Sequence, residues 1–266
     1  MVSKGCESCY AMKTAHRFSK PGMAYEGLTE MGPHGPRWTG KIKLVSEALE
    51  EPLHWKTPRR IFVNSMSDLF HEDVPDEFID QVFITMGDSP RHTFQILTKR
   101  PKRMEDYIAR SEIAGESFSK WPLPNVWLGA SIEDQATASD RIPSLLATPA
   151  AVRFLSVEPL LGFIDLSIWF SIKRFGREDR ERFIDWVIVG GESGPGARPC
   201  DVQWIRVITA QCMAAGVPVF VKQLGANIAP ITIEAGSVKE RLFLKDPKGG
   251  DMAEWPEDLR VREFPR

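Results

Sequence analysis

Short, almost continuously apolar runs recur along the chain. Their starts lie 34, 31, 27, 34 and 31 residues apart. Runs that are apolar throughout, without alternation, are typical of parallel strands covered on both faces. We therefore predict six strands. They are RIFVNSM from Arg60, FQILTKR from Phe94, NVWLGASIED from Asn125, VRFLSVEP from Val152, WVIVGGESG from Trp186 and VPVFVKQLG from Val217.

Helical patterns occupy the intervals between these runs. Residues 74–88 place apolar side chains on one helical face, and residues 102–109 repeat that spacing. Residues 201–216 open on a capping Asp201 and close on Gly216, with Cys212 on the inner stripe. Residues 134–146 are a weaker candidate, in which we expect Pro143 to kink or divide the helix.

A strand–helix repeat of this length predicts an α/β protein, either a parallel (β/α) barrel or an open doubly wound sheet. Six strands are visible, and we expect an incomplete barrel over residues 1–225. Residues 226–266 break the repeat. We expect a hairpin there, followed by a tail that packs on the barrel through Trp255 and Phe264.

Charge gives no strong indication of a partner. The chain of 266 residues carries 34 Lys+Arg and 36 Asp+Glu, a formal net charge of −2. This balance provides no bulk attraction to nucleic acid or to an anionic membrane. Because the chain shows no long apolar span and no signal-peptide pattern, we expect a cytoplasmic protein. Its four cysteines are then expected to be free thiols or ligands.

Polar residues follow every predicted strand. The carboxyl ends of parallel strands meet at one edge, so these side chains predict a lined pocket there. For any single residue, a helix cap or a salt bridge is an equally good explanation. The residues are Asn64, Ser65, Ser67 and Asp68; Thr98, Lys99 and Arg100; Ser131, Glu133 and Asp134; Glu158; Glu192; and Lys222 and Gln223.

The fifth strand ends in the glycine-rich stretch GGESGPGARP, residues 190–199. Its glycines allow positive φ and a close backbone approach to a ligand. Glu192 could accept hydrogen bonds from an amine or a ribose. A tight turn before the next helix explains the same residues without any ligand.

The N-terminal stretch KGCESCYAMK contains a cysteine pair, Cys6 and Cys9, followed by Tyr10. A buried, inert pair and a zinc-binding pair are both alternatives, although two thiolates alone are insufficient for a structural zinc site. A CxxC pair before a helix also suits a redox dithiol. His16 and His34 lie nearby in sequence. They are either ordinary loop residues or substitute metal ligands.

The motifs HWKTPRRIFVNSMSDLFHEDVP, FQILTKRP, NVWLGASIEDQ, RFLSVEPLLG, VIVGGESGPGARP and VFVKQLG resemble those of a phage and bacterial protein family of unknown function. That family in turn resembles the radical S-adenosylmethionine enzymes. The resemblance runs from Lys4 to about Pro265. It implies a barrel and a [4Fe–4S] cluster that is held by three cysteines. The fourth iron of such a cluster has no protein ligand and chelates S-adenosylmethionine.

Cys6 and Cys9 match the last two cysteines of that family's loop. The third cysteine and the strand before it would precede Met1, so the resemblance implies a barrel domain that lacks its first strand. Either the protein is a degenerate, cluster-free member, or the sequence starts downstream of the family's usual start. The second explanation accounts better for the intact motifs elsewhere.

The resemblance implies a radical S-adenosylmethionine-like iron–sulfur protein of phage or mobile-element type, whose substrate it does not identify. Cys6 and Cys9 would bind iron. The residues expected to bind the cofactor are Gly190, Gly191, Glu192, Ser131 and Glu133. The residues expected to bind substrate or to act as acid or base are Glu158, Lys222, Lys99 and Asp68. Lys222 could instead pair with Glu158 or Glu192.

A nucleic-acid-binding phage protein without catalysis is the alternative. Its basic clusters would be Arg59, Arg60, Lys99, Arg100, Lys102 and Arg103, and its stacking residues would be Trp55, Trp121 and Trp127. The slightly negative net charge disfavours this interpretation.

Overall fold

The computed structural model describes residues 1–33, 35–110, 121–170, 183–229, 231–232, 239–240 and 242–265. Its centre is a curled six-stranded parallel sheet that forms a half-barrel. A small antiparallel hairpin of β1 (Thr29–Gly32) and β2 (Gly35–Trp38) precedes the sheet. The six strands are β3 (Arg60–Val63), β4 (Thr93–Thr98), β5 (Val126–Ile132), β6 (Val152–Val157), β7 (Trp186–Gly190) and β8 (Val219–Gln223).

The order of these strands in the sheet is the order in which they follow one another along the chain. All six predicted strands are thus confirmed, and each pairs in parallel with the next. A doubly wound sheet reverses its strand order at one point, whereas a barrel adds each strand to the same side. The sequential order therefore identifies the barrel type of winding.

The helices that the structure describes are α1 (Tyr10–Arg17), α2 (Glu51–His54), α3 (Asp76–Gly87), α4 (Pro101–Arg110), α5 (Gln135–Ala147), α6 (Ser167–Phe170) and α7 (Val202–Ala215). The four helices predicted between the strands are present as α3, α4, α5 and α7, and three further short helices, α1, α2 and α6, were not predicted. In α3, the apolar stripe Ile79, Val82, Phe83 and Met86 is buried, as its spacing predicts. In α7, Cys212 is fully buried in the core.

The expectation that Pro143 divides its helix was wrong. Helix α5 runs through Pro143 and begins with a capping box between Asp134 and Thr137. Ile142 and Leu145, on either side of the proline, are both fully buried. Core packing of these neighbours and the cap together offset the hydrogen bond that a proline cannot donate.

The sheet is not covered equally on its two faces, so the prediction of strands buried on both sides was wrong for part of it. Along β4, Phe94, Ile96 and Thr98 are buried, whereas the alternate residues Gln95 and Leu97 are half-buried. Strand β8 alternates in a similar way, with Val219, Val221 and Gln223 buried. In β3, Ile61 and Val63 are half-buried and pack against the core, whereas Phe62 is exposed. The more buried side chains of each strand face the core shared with the helices, and their more exposed neighbours face the concave side of the half-barrel.

Aromatic side chains close the amino ends of the strands. Trp186 contacts Trp127, Phe154 and Phe220, and Phe264, from the C-terminal segment, packs on Trp186 with ring centroids 5.4 Å apart. These contacts leave the opposite, carboxyl edge as the open end of the half-barrel.

The C-terminal residues lie along β8. The backbone N–H of Val221 donates to the carbonyl of Val261 over 2.9 Å, and Trp255 is 2% exposed. Before them, β9 (Ile231–Thr232) and β10 (Lys239–Glu240) pair antiparallel. Across the described ranges, the helices are too short or too polar to cross a membrane.

Candidate functional site

The parallel sheet places all the predicted strand-end residues at one edge. Because every strand runs in the same direction, Lys99, Glu133, Glu158, Glu192 and Lys222 follow or end their strands on the carboxyl side. Their contacts divide them into separate clusters, each built around one buried or half-buried carboxylate.

Glu133 is the centre of the first cluster and is 1% exposed. Its carboxylate accepts from the Lys99 ammonium and, over 3.1 Å, from Nη1 of Arg141. Lys99 Nζ also lies 3.1 Å from the hydroxyl of Ser131, and Arg141 Nη1 donates to the Ser131 carbonyl over 2.6 Å. Two cations therefore compensate one buried carboxylate, which joins the ends of β4 and β5 to α5.

Asp68 connects the ends of the first two strands of the sheet. It accepts from Thr98 Oγ1 over 2.7 Å, from the Lys99 backbone N–H over 3.0 Å and from Arg100 Nη1 over 3.2 Å. The N–H of Phe70 also donates to it. Both carboxylate oxygens of Asp68 thus accept hydrogen bonds, which hold the residues that follow β3 against the end of β4.

Glu158 and Lys222 form a third cluster. Their side chains lie 2.8 Å apart, so of the two partners expected for Lys222 the structure has Glu158. Gln223 Nε2 donates to the other Glu158 oxygen over 3.1 Å. Lys222 is the exposed member, with 52% of its side chain accessible.

Glu192 pairs with Arg198, a residue that the sequence analysis missed. The guanidinium donates to both carboxylate oxygens, over 2.9 Å from Nε and 2.6 Å from Nη2, and the backbone N–H of Arg198 adds a third bond. Burial alone would raise the pKa of Glu192, but the hydrogen bonds and charge of Arg198 hold that pKa below its ordinary value. The charge pattern inside GGESGPGARP could have revealed this pair.

The glycines of that stretch have two different roles. Gly194 and Gly196 adopt positive φ, at 99° and 79°, and form the turn. Gly191 instead packs against the end of β8, where an added Cβ would lie 2.3 Å from the Leu224 carbonyl oxygen. The close approach that Gly191 permits is therefore to the chain's own backbone.

The cysteine loop, which we define as residues 3–9, lies on the same edge. It contains a short 3-10 turn, Lys4–Cys6, and ends at the start of α1. Ser3 donates to Glu133 over 2.7 Å, and Arg198 donates to the Lys4 carbonyl over 2.8 Å. The loop therefore contacts the ends of β5 and β7.

The environment of Cys6 favours its thiolate. Partial burial alone would raise the pKa of this thiol. Backbone hydrogen bonds from Ser3 and Val2, together with the charge of Lys99, outweigh that effect and lower the pKa below its ordinary value.

A cavity of about 810 Å³ adjoins the loop. Both loop cysteines line it, together with Lys99 and Ser131 from the first cluster and with Asp68. Its lining also contains apolar side chains, among them Trp38, Trp55 and Phe62. Glu158, Glu192 and Lys222 are not part of its lining. The structure thus brings the cysteines to one cavity with the strand-end residues of the first two strands and with Ser131. Besides Lys99 and Asp68, these strand-end residues are Asn64, Ser65, Ser67, Thr98 and Arg100. The strand-end residues from Glu133 onward lie outside the lining.

The cysteines that the structure describes do not complete the ligand set of a [4Fe–4S] cluster. Cys200 and Cys212 lie in the core, where burial raises the pKa of both thiols to about 12. His16 interacts with Thr29 Oγ1 over 3.1 Å, and His34 lies outside the described residues. Within the described ranges, no three His, Cys, Asp or Glu residues are grouped to hold a metal ion. The loop therefore supplies two thiolates where the resemblance implies three.

The basic residues of the nucleic-acid alternative are dispersed among internal contacts. Arg100 pairs with Asp68, Lys102 with Asp106 and Arg103 with Asp76. The guanidinium groups of Arg59 and Arg60 stack on Trp55 and Phe264, respectively. Trp121 packs on Phe83, and Trp127 packs on Trp186. These contacts add no support for a nucleic-acid surface.

The fold and the site together define an α/β half-barrel protein with a cysteine loop on its carboxyl edge. Residues 1–244 match the family model described as "Protein of unknown function (DUF5131)", and the chain belongs to that family. No curated protein and no solved structure matches the chain.

Proposed function

We propose that the chain is an iron–sulfur protein of the radical S-adenosylmethionine type, with iron at Cys6 and Cys9 and substrate in the adjoining cavity. The observation that carries the proposal is the position of the cysteine loop. It lies at the carboxyl edge of a parallel half-barrel, where α/β proteins bind their ligands, and it lines the large cavity there.

The cysteine loop supplies fewer ligands than a cluster requires. Two thiolates from the loop require at least one further ligand, which the other described cysteines do not supply. When bound, a cluster of this type would supply one-electron chemistry to S-adenosylmethionine.

The contacts of the strand-end residues separate those with a structural role from those that could bind a ligand. Glu133 and Glu192 are each satisfied by an internal cation, so we assign them to holding the site together. Lys99 and Ser131 line the cavity beside the cysteines, so we assign them to ligand binding. Glu158 pairs with Lys222 outside the lining and receives no role in the chemistry.

Metal analysis after anaerobic reconstitution with iron and sulfide tests the iron site. A [4Fe–4S] cluster would give about four irons per chain with matching sulfide. Cys6→Ala and Cys9→Ala should lose most of this iron, whereas the core variant Cys212→Ala should retain it. Equal iron in the loop variants and in the control would contradict the proposal, and the absence of iron in all of them would favour a cluster-free protein.

Calorimetry with S-adenosylmethionine tests the cavity. Ser131→Ala should weaken binding to the reconstituted protein. Ser156 is the direct neighbour of Ser131 in the sheet register and is likewise buried, but it is not part of the cavity lining. Ser156→Ala is therefore the matched control. The same affinity in both variants would remove Ser131 from the ligand site.

A further inference from the structure

Arg198 makes two kinds of contact at once. One side of its guanidinium holds Glu192 through Nε and Nη2, with distances of 2.9 and 2.6 Å. The remaining nitrogen, Nη1, donates over 2.8 Å to the backbone carbonyl of Lys4, which lies 194 residues away in sequence. The same nitrogen lies 3.4 Å from a Glu7 oxygen. Arg198 therefore connects the end of β7 to the cysteine loop.

The geometry fixes the direction of this contact. A bidentate pair with a carboxylate that is 7% exposed restricts the guanidinium to one plane. The backbone N–H of Arg198 donates to the same carboxylate, so the turn and the side chain are held together. The nitrogen that donates to Lys4 is thus held in position by the Glu192 contacts, independently of the loop.

The Lys4 carbonyl belongs to the turn that carries Cys6. It also accepts the N–H of Glu7 over 3.1 Å, and the N–H of Cys6 donates to the Ser3 carbonyl over 2.9 Å. A contact that fixes Lys4 therefore fixes the backbone immediately before Cys6.

Glu133 holds the loop from the opposite side. Besides accepting from Ser3, it lies so close to Gly5 that an added Cβ would approach its Oε1 to 2.5 Å. The loop is therefore confined between a buried carboxylate at the end of β5 and a guanidinium at the end of β7.

We propose that Arg198 is a positioning residue for the cysteine pair, and that it acts by holding the Lys4 carbonyl while Glu192 orients its guanidinium. The inference deepens the proposed function, because it rests on Cys6 and Cys9 forming the site. Thiolate ligands bind a metal tightly only when surrounding contacts hold them in position.

The test compares variants that separate the loop contact from the ion pair. Glu192→Gln retains an oxygen that can accept from Arg198 and leaves the contact with Lys4 in place. The double variant Glu192→Gln/Arg198→Met removes that contact without leaving a buried charge unpaired. Arg206→Met is the matched control, because the Arg206 side chain is 28% exposed against 27% for Arg198 and also pairs with a carboxylate, that of Asp258.

Two readouts report the loop directly in the metal-free 266-residue chain. One is the rate of tryptic cleavage of the bond after Lys4. The other is the rate of iodoacetamide alkylation of Cys6 relative to Cys9, located by tandem mass spectrometry. Both follow the open population of the loop when cleavage and labelling are slow.

In the double variant we expect both rates to rise about tenfold relative to the control. This is the increase expected if the lost loop contacts contribute about 1.4 kcal/mol to the closed loop. Glu192→Gln alone should remain close to wild type. Equal rates in the double variant and in Arg206→Met would overturn the inference. So would full opening in Glu192→Gln alone, because the contact between Arg198 and Lys4 would then not hold the loop. Because no iron is present, failure here is distinguishable from failure of the proposed iron site.

Discussion

Replacement of Glu133 by alanine should be among the most destabilising single changes at the carboxyl edge. The substitution would leave Arg141, with 4% of its side chain exposed, and Lys99, with 21% exposed, without their shared carboxylate. Removal of one partner from a buried ion pair costs about 3–5 kcal/mol, because the remaining charge is buried without compensation. Ser3 would also lose its acceptor. We therefore expect the free energy of unfolding to fall by about 3–5 kcal/mol.

Urea unfolding followed by circular dichroism measures this loss, provided that the slope of free energy against urea is unchanged. Glu30→Ala is the control, since Glu30 and Arg37 form a pair over 2.8 Å with side chains that are 51% and 64% exposed. An exposed pair of this kind contributes less than about 1 kcal/mol. Glu133→Gln retains the shape of the side chain and should fall between the two. A cost for Glu133→Ala no larger than that of the control would refute the reasoning.

Three further outcomes are expected. Gly129→Ala should cost about 1–3 kcal/mol in urea unfolding, because its Cβ would lie 2.4 Å from the ring of Phe154. Cys200 and Cys212 should react with a thiol reagent only after denaturant is added, whereas the loop cysteines should react in the native protein. The folded-state pKa of Glu192 lies below its ordinary value of 4.5. The ionised Glu192 side chain therefore contributes to stability above pH 4.5, and this contribution is lost as the pH falls through the folded-state pKa. Glu192→Gln should remove that part of the acid sensitivity, measured as the urea midpoint against pH.

The hydrophobic pattern was sufficient to place the six strands and the principal helices. It was not sufficient to predict how the sheet is covered. Leu97 and Phe94 are equally apolar in the sequence, yet Phe94 is 2% exposed and Leu97 is half-buried. The difference arises because Phe94 lies on the face that packs on the helices and Leu97 on the concave face. An apolar residue on the concave face and one that packs on the helices follow the same sequence pattern.

The sequence also predicted which residues would reach the carboxyl edge, but apart from offering Glu158 or Glu192 as the partner of Lys222 it did not predict their pairing. Lys99 lies 34 residues from Glu133, and Lys222 lies 64 residues from Glu158. These distances along the chain are bridged only by the curvature and register of the sheet. The separation of six residues between Glu192 and Arg198 is short enough that charge pattern alone could have suggested that pair.

Pairing determines which strand-end residues remain for chemistry. A carboxylate buried at the edge of a sheet must have a cation or several donors, because an uncompensated buried charge is costly. Glu133 and Glu192 both meet this condition with arginines from their own chain. A row of acidic residues at strand ends is therefore as consistent with a structural framework as with an active site. The residues that line the cavity beside the cysteines are the better candidates. Lys99 and Ser131 are such residues, and Glu133 and Arg198 act on the site through the loop that they hold.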